Sequence, residues 1–226
     1  PDGITLNIWV DTTEKLKERI NVLLKNAGGG LILVLIILTL FLKFKVAMWV
    51  AVGIPIALIG TLAVFPFYDM TISTMTIMGF ILVLGIVVDD AIVVGERIYA
   101  HEQLGKSPLE AAVDGTWEVS VPVIFGVLTT IAAFLPMVVI EVGFSPFFAA
   151  IGFTVIIALI CSIIESQLIL PAHLAHRSRA PAKTTITKSW IKFQSKLASA
   201  LESFALGPYK SFLQRTLRSR YISVSL

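Results

Sequence analysis

Charged residues are scarce in this sequence, and the scarcity excludes most classes of protein. Of 226 residues, 15% are charged and 56% are hydrophobic, whereas soluble domains are about 25% charged and about 45–50% apolar. This composition excludes an ordinary soluble domain and a disordered chain. It predicts a membrane protein. The net charge of +3 then points to basic residues on the cytoplasmic side rather than to nucleic acid.

Cysteine and metal-ligand patterns are equally sparse. The single cysteine, Cys161, lies inside an apolar run, so an internal disulfide and a cysteine-cluster metal site are excluded. The sequence also lacks metal-ligand spacing, a phosphate-binding loop and a Ser/His/Asp set. We therefore expect no cofactor and no metal.

Both ends of the sequence are typical of a piece of a larger protein. From Ile4 to Val10 apolar residues alternate with the period of a strand. Asp11 stands three residues before Glu14, a capping-box spacing that predicts the start of a polar helix. We interpret residues 1–25 as the end of an extramembrane domain with a linker helix, and residues 220–226 as the start of a further span.

Five apolar runs are long enough to cross a bilayer, which takes about 20 residues. They are span A (26–42), span B (46–68), span C (about 74–95), span D (119–140) and span E (142 to about 174). Prolines inside spans B and D are tolerated because neighbouring groups satisfy the freed carbonyls. The sequence therefore predicts an all-α, polytopic transmembrane helix bundle over residues 26–175, with five complete spans.

Lysine and arginine lie in alternate connections between the spans. Lys43 and Lys45 lie between spans A and B, and Arg97 and Lys106 lie between spans C and D. The B–C and D–E links contain none, whereas the tail at 176–219 is rich in both. Because cytoplasmic connections carry the excess of Lys and Arg, the basic links and the tail are predicted to be cytoplasmic.

An amphipathic helix is predicted at about residues 187–205 of the tail. Aromatic and leucine side chains recur there at helical spacing, with lysines on another face. The apolar residues are Trp190, Phe193, Leu197, Leu201 and Phe204. Such a helix lies in the membrane interface or packs on protein, and the sequence favours neither.

Two adjacent acids in span C are the most informative residues. Asp89 and Asp90 lie in GIVVDDAIVV, with apolar residues on both sides. One carboxylate at a helix centre costs about 2.5–3.5 kcal/mol on an insertion scale, so two need compensation. No Lys or Arg occurs inside any span to provide it. We interpret the doublet as a proton or ion site; a buried ion pair that joins helices is the structural alternative.

Small residues near the doublet favour close helix packing. Gly85 precedes Asp89 by four residues and shares its helix face. Gly79, Ala91 and Gly95 add further positions at which another helix can approach. Glycine clusters also occur in purely structural helix contacts, so they only support the site.

Other ionisable residues are weaker candidates. We interpret Glu165, shortly before Pro171, as a residue that snorkels to the inner interface or bonds to a loop. Glu141 is expected to be solvated at the outer edge of span D. The histidines are interpreted as surface or interfacial residues: His101, His173 and His176.

The region around the doublet resembles a known family. VLGIVVDDAIVVGERIYAHEQLGKSPLEAAVDGTWEVSVPVIFGVLTTIAAFLPM is similar to the central membrane region of resistance–nodulation–division (RND) efflux transporters, of the hydrophobe/amphiphile (AcrB-like) branch. LTLFLKFKVAMWVAVGIPIALIGTLAV and IESQLILPAHLAHR resemble the spans before and after it. The resemblance covers almost the whole chain. It implies that spans A to E are the family's second to sixth helices, following a periplasmic domain.

Roles for individual residues follow from this resemblance. In the family the doublet relays protons and pairs with a lysine on a helix of the transporter's second half, a role that carries over to Asp89 and Asp90. Gly85 matches the small residue before the doublet, and Glu96 matches the acid after it. Gly95 replaces a branched apolar residue, and Arg97, two residues later, replaces an asparagine. These departures put the local packing in doubt, not the relay.

The resemblance also implies the activity and the partners. It implies a proton-driven antiporter, and not an enzyme, in the bacterial inner membrane. Metal-exporting relatives tend to have a single aspartate, so the doublet favours organic, amphiphilic cargo. Family members work as homotrimers with a periplasmic adaptor and an outer-membrane channel, and bind cargo in periplasmic domains. The fragment alone is therefore expected to transport nothing.

Two other functions remain as alternatives. One is an accessory or protein-export subunit of the same superfamily. The other is an intramembrane aspartyl protease, whose two aspartates lie on different helices that face each other. Asp89 and Asp90 are neighbours, about 100° apart on one helix, so together they cannot flank a scissile bond.

Overall fold

The computed structural model describes residues 12–41, 44–139, 145–176 and 185–218. The contacts divide the chain into two units, one up to Arg177 and one from Ser178 onward. The predicted strand at 4–10, Asp11, Glu141 and the further span at 220–226 lie outside the described residues.

The described part of the first unit is helical. Its elements are α1 (Thr12–Phe41), α2 (Phe44–Val64) with a 3₁₀ turn (Phe65–Tyr68), α3 (Thr74–Gln103), α4 (Pro108–Val139), α5 (Ser145–Ile164), a π-helical turn (Glu165–Ile169) and α6 (Leu170–Ala175). Among the described residues, five helical stretches are long and apolar enough to cross a membrane. The predicted all-α fold with five spans is therefore confirmed.

Helices α3 and α4 extend beyond the predicted spans, at the ends where they meet. α3 continues to Gln103, and α4 begins at Pro108 rather than at residue 119. Ser107 and Glu110 form a capping box: the Glu110 amide donates to Ser107 Oγ (3.3 Å), and Ser107 N–H donates to Glu110 Oε2 (3.0 Å). Between the helices Gly105 has a φ of 91°, a conformation that glycine adopts without strain.

Helix α3 is the central helix of this unit, because it contributes to both apolar clusters. Val83 and Val87 pack in one cluster with residues of α2, α4 and α5. Ala91, Val94 and Ile98 pack in the other with residues of α1, α2, α4 and α6. Many large apolar side chains on the outer faces of the helices are exposed. Exposed apolar faces around a packed centre are what a helix bundle in lipid requires, because lipid is as apolar as leucine.

Glycines allow α3 to approach three neighbouring helices closely. A Cβ added at Gly79 would lie 2.9 Å from Cβ of Thr154 in α5, and one at Gly95 would lie 2.6 Å from Cγ2 of Val50 in α2. A Cβ at Gly115 would meet backbone atoms of α3. These positions therefore fix how closely α3 approaches its neighbours.

The second unit contains α7 (Thr185–Phe204), a π-helical turn (Ala205–Tyr209) and α8 (Lys210–Arg218). Helix α7 forms where the amphipathic helix is predicted. The rings of Trp190 and Phe193 lie 5.7 Å apart between centroids, and both side chains are exposed. Whether lipid or protein covers this apolar face stays a prediction.

Candidate functional site

The aspartate doublet lies on α3 where the two apolar clusters meet. Val87, which precedes the doublet, belongs to one cluster, and Ala91, which follows it, belongs to the other. Both of these residues are fully buried. The doublet therefore lies beside the packed centre of the bundle, several turns from either end of α3.

Asp90 faces the neighbouring helix α5. Its side chain is half-buried, and Ser162 Oγ donates a hydrogen bond to Asp90 Oδ2 at 3.4 Å. Ser162 itself is 1% exposed. The bond is long for an O–H donor, but it joins two helices in an apolar environment. A hydroxyl both donates and accepts, so Ser162 can bond to Asp90 in either protonation state.

Asp89 lies on a different face of α3, which the described helices leave open. Six exposed residues at spacings of three and four form this face, here called the open stripe: Met78, Leu82, Gly85, Asp89, Val93 and Glu96. Apart from its two acids, the open stripe carries no charge. Among the described residues, neither aspartate pairs with a lysine or arginine.

The two glycines predicted to support the site differ in their surroundings. Gly95 packs closely on Val50, as described above. Nothing lies within 4 Å of a Cβ added at Gly85, so no described helix approaches it there. Gly85 instead lies on the open stripe with Asp89 and Glu96, and its role in packing stays a prediction about whatever covers that stripe.

A polar network joins α3 and α4 beyond the apolar region. Glu118 pairs with Arg97 and accepts from His101, whose Nε2 lies 2.8 Å from Glu118 Oε2. Lys106 Nζ lies 2.9 Å from His101 Nδ1 and 2.7 Å from Asp114 Oδ2. Because the lysine can only donate, Nδ1 accepts and the proton is assigned to Nε2. The prediction that His101 is a surface residue is wrong: its side chain is 15% exposed and joins the two helices.

The other histidines lie at the end of the fifth span. The ring of His173 stacks on Trp49 of α2, with centroids 4.3 Å apart. His176 Nδ1 lies 2.8 Å from the carbonyl of Ala172. Both side chains are exposed, in keeping with a position at an interface.

Glu165 is buried, although the sequence predicts an interfacial position for it. The prediction that it snorkels to an interface is wrong, because the residue is 2% exposed. Its carboxyl group lies over the backbone of α2, where a Cβ added at Gly53 would overlap it. Its spacing of three residues from Ser162 puts the two on one helix face, a signal that the sequence already contains.

This part of the apolar bundle contains carboxyl and hydroxyl side chains. Such groups are able to bind and release protons, and ionisable residues inside membrane spans are candidates for a functional site. In the described part of the chain, no three His, Cys, Asp or Glu residues gather closely enough to hold a metal ion.

Known proteins resemble this chain over its full length or most of it. The model of the AcrB/AcrD/AcrF family matches residues 1–226. An uncharacterized transporter of Haemophilus influenzae is 37% identical over 61% of this chain and 13% of its own length. The swarming motility protein SwrC of Bacillus subtilis is 29% identical over 98% of this chain and 21% of its own. The multidrug resistance protein MdtC of Pantoea ananatis is 30% identical over 78% of this chain and 17% of its own.

The chain thus spans about a fifth or less of the length of these relatives. The family match extends over every span and includes the aspartate doublet. Together with the five apolar helices, it identifies a multi-pass membrane protein. The chain belongs to the AcrB/AcrD/AcrF family of RND transporters.

Proposed function

We propose that the transporter containing this chain exports amphiphilic organic compounds in exchange for protons, and that Asp89 and Asp90 carry those protons. One observation above all supports this: the two acids of one doublet have different surroundings. Asp90 is held by Ser162 inside the bundle, whereas Asp89 lies on the open stripe. The two carboxyl groups thus face different sides of α3: that of Asp90 faces α5, and that of Asp89 lies on the open stripe.

The open stripe provides a place for the rest of the transporter. A carboxylate facing lipid at this depth would cost about 2.5–3.5 kcal/mol, so protein or water must cover Asp89. In the family the covering helix belongs to the second half of the transporter and supplies a lysine. Pairing with that lysine would favour the ionised doublet, and protonation would release it. The doublet would then change its helix contacts each time it binds a proton.

The direction of transport follows from the basic connections. If the connection that holds Lys106 is cytoplasmic, α3 runs inward from Thr74 to Gln103. Protons would enter the doublet from outside and leave to the cytoplasm, driven by about 2.3 kcal/mol per charge for each 100 mV of membrane potential. We place this transporter in the bacterial inner membrane, as a homotrimer working with a periplasmic adaptor and an outer-membrane channel.

Amphiphilic cargo is the favoured class. The doublet is the pattern of the branch that exports organic compounds, and the MdtC relative bears the name multidrug resistance protein. The protease alternative is disfavoured by the geometry, since Asp89 and Asp90 face different surroundings on one helix. Purified protein that cleaved a membrane peptide would revive it.

The test uses Asp89→Asn and Asp90→Asn in the full-length transporter. Each variant should reach the membrane in normal amounts and lose export of a toxic amphiphile, measured as the growth of cells exposed to it. Glu14→Gln is the matched control, because Glu14 is an exposed acid on the polar first turns of α1. Export by either aspartate variant at the level of this control would refute the proposal.

A further inference from the structure

Glu165 is a buried acid that the proposed doublet mechanism does not use. It is 2% exposed and lies in the fifth span. No described residue makes a hydrogen bond or ion pair with its carboxyl group. Moving a carboxylate into such surroundings without a partner is costly, and the neutral acid avoids most of that cost. A buried acid without a partner does not stabilise the fold, so its presence at this position calls for a functional explanation.

The backbone around Glu165 is also unusual. Residues Glu165–Ile169 form a π-helical turn between α5 and α6. Pro171 lies two residues after this turn, and in a regular α-helix its ring would clash with the carbonyl of Gln167. A wider turn before a proline is one way to avoid such a clash. Such π turns are rare and occur frequently at functional sites.

The position of Glu165 connects it to the doublet. Ser162 precedes it by one helical turn on the same face, about 4.5 Å along the axis, and is the residue that bonds to Asp90. The Glu165 carboxyl group itself lies against α2, which leaves room for it because Gly53 has no side chain. Ser162 and Glu165 thus share one face of the fifth span, and Ser162 is hydrogen-bonded to Asp90 of α3.

Few other ionisable groups face this position from the helices packed around it. On α2 the charged residue is Lys45, exposed and about two turns before Gly53. On α3 they are the doublet, with Glu96 and Arg97 exposed further along. Cys161 of α5 contacts Gly60 instead, and His173 of α6 stacks on Trp49.

We propose that Glu165 is a second proton-binding station of the transporter, exchanging a proton with Asp90 through the Ser162 hydroxyl. In each exchange the protonated acid gives its proton to the Ser162 hydroxyl oxygen, and the hydroxyl passes its own proton to the other carboxylate, so that serine ends unchanged. The step requires the Glu165 carboxyl to turn from Gly53 to within hydrogen-bond distance of Ser162. With the orientation proposed above, Glu165 lies on the cytoplasmic side of the doublet. It is therefore the station from which protons leave. This inference rests on the proposed proton-driven function.

The first test measures proton flux in liposomes that contain the full-length transporter and an entrapped pH-sensitive dye. Under an imposed pH gradient, Glu165→Gln should slow proton movement by about a hundredfold, as expected for loss of a proton-transfer group. Glu165→Asp keeps the acid and should restore much of the flux. Glu14→Gln should behave as the unmodified protein. Flux through Glu165→Gln at the unmodified level, with Asp90→Asn inactive, would overturn this inference alone; normal flux through Asp90→Asn would overturn the proposed function.

The second test detects the acid directly and does not depend on transport. Infrared difference spectra on changing the pH should contain a carbonyl band from a protonated carboxylic acid that Glu165→Gln removes. Glu165→Asp, which is suitable even if the glutamine variant fails to assemble, should shift that band. Spectra identical to those of the unmodified protein in the aspartate variant would show that Glu165 does not change its protonation, and the inference would fall.

Discussion

Gly115 of α4 lies so close to Ile98 of α3 that a Cβ added to the glycine would stand 2.7 Å from the Cα of Ile98. The neighbouring atoms belong to the backbone, which cannot rotate away as a side chain can. This contact therefore sets the separation of α3 and α4 near the polar network.

Replacing Gly115 by alanine should force the two helices apart. We expect Gly115→Ala to lower the free energy of unfolding by about 1–3 kcal/mol, the usual cost of overpacking. Thermal denaturation of the full-length protein in detergent measures the effect. Gly126→Ala on the same helix is the control, because nothing lies within 4 Å of its added Cβ. An equal loss of stability in both variants would contradict the explanation.

The bond between Ser162 and Asp90 should matter more for transport than for stability. At 3.4 Å it is weak, so Ser162→Ala should cost about 0.5 kcal/mol, at the low end for a hydrogen bond. Proton flux in liposomes should nevertheless fall, because the variant lacks the hydroxyl through which we propose that protons pass between Asp90 and Glu165. Ser166→Ala is a matched control: Ser166 is equally buried but donates within its own helix, to the carbonyl of Ile163. Equal flux in the two variants would count against the role of Ser162.

The packing of Glu165 on Gly53 should appear as coupling between the two positions. Gly53→Ala places a methyl group on the Glu165 carboxyl and should destabilise the protein by about 1–3 kcal/mol. Adding Glu165→Ala removes the carboxyl group with which this methyl group clashes. The double variant should therefore be more stable, by about 0.5–3 kcal/mol, than the sum of the two single effects predicts. Thermal denaturation of the single and double variants completes the cycle. Gly60→Ala is the control on α2, since its Cβ would meet Cys161 Sγ at an ordinary 3.4 Å. Simple additivity at 53 and 165 would refute the contact.

Glu118 should contribute to stability only through its ion pairs, which dissolved salt weakens by screening. It is exposed where it pairs with Arg97 and His101, and exposed ion pairs contribute little and weaken with salt. We expect Glu118→Gln to lower the melting temperature slightly at low ionic strength and not at high ionic strength. Melting curves at the two ionic strengths decide this. A large loss that persists in high salt would indicate a buried structural role instead.

The membrane spans can be predicted from the sequence because a long apolar run is recognised without knowing which helices pack against it. Hydropathy does not predict the end of α3 or the start of α4, because these turns are polar and an apolar run ends where charged residues begin. The signal was present, however. The sequence SPLE at Ser107 to Glu110 has the capping-box pattern with a proline at the first helical position, and it predicts a helix start there.

The burial of Glu165 was not predictable in the same way. Its position near the end of an apolar run and before Pro171 suggested an interface, because snorkelling is common at the ends of spans. What buries it is α2, which is distant in the sequence and contributes a glycine at the point of contact. A single sequence gives the period and depth of a helix but not which neighbour covers a given face.

The π-helical turn at Glu165–Ile169 has a mechanical consequence for α6. A π turn contains one residue more than a regular turn, so everything after it is rotated by about 100° from the register that α5 alone would give. Leu170 and Leu174 are buried in that rotated register. Deleting one residue from the turn would rotate these leucines out of the core and His173 away from Trp49. The burial of α6 therefore depends on the one extra residue in the turn before it.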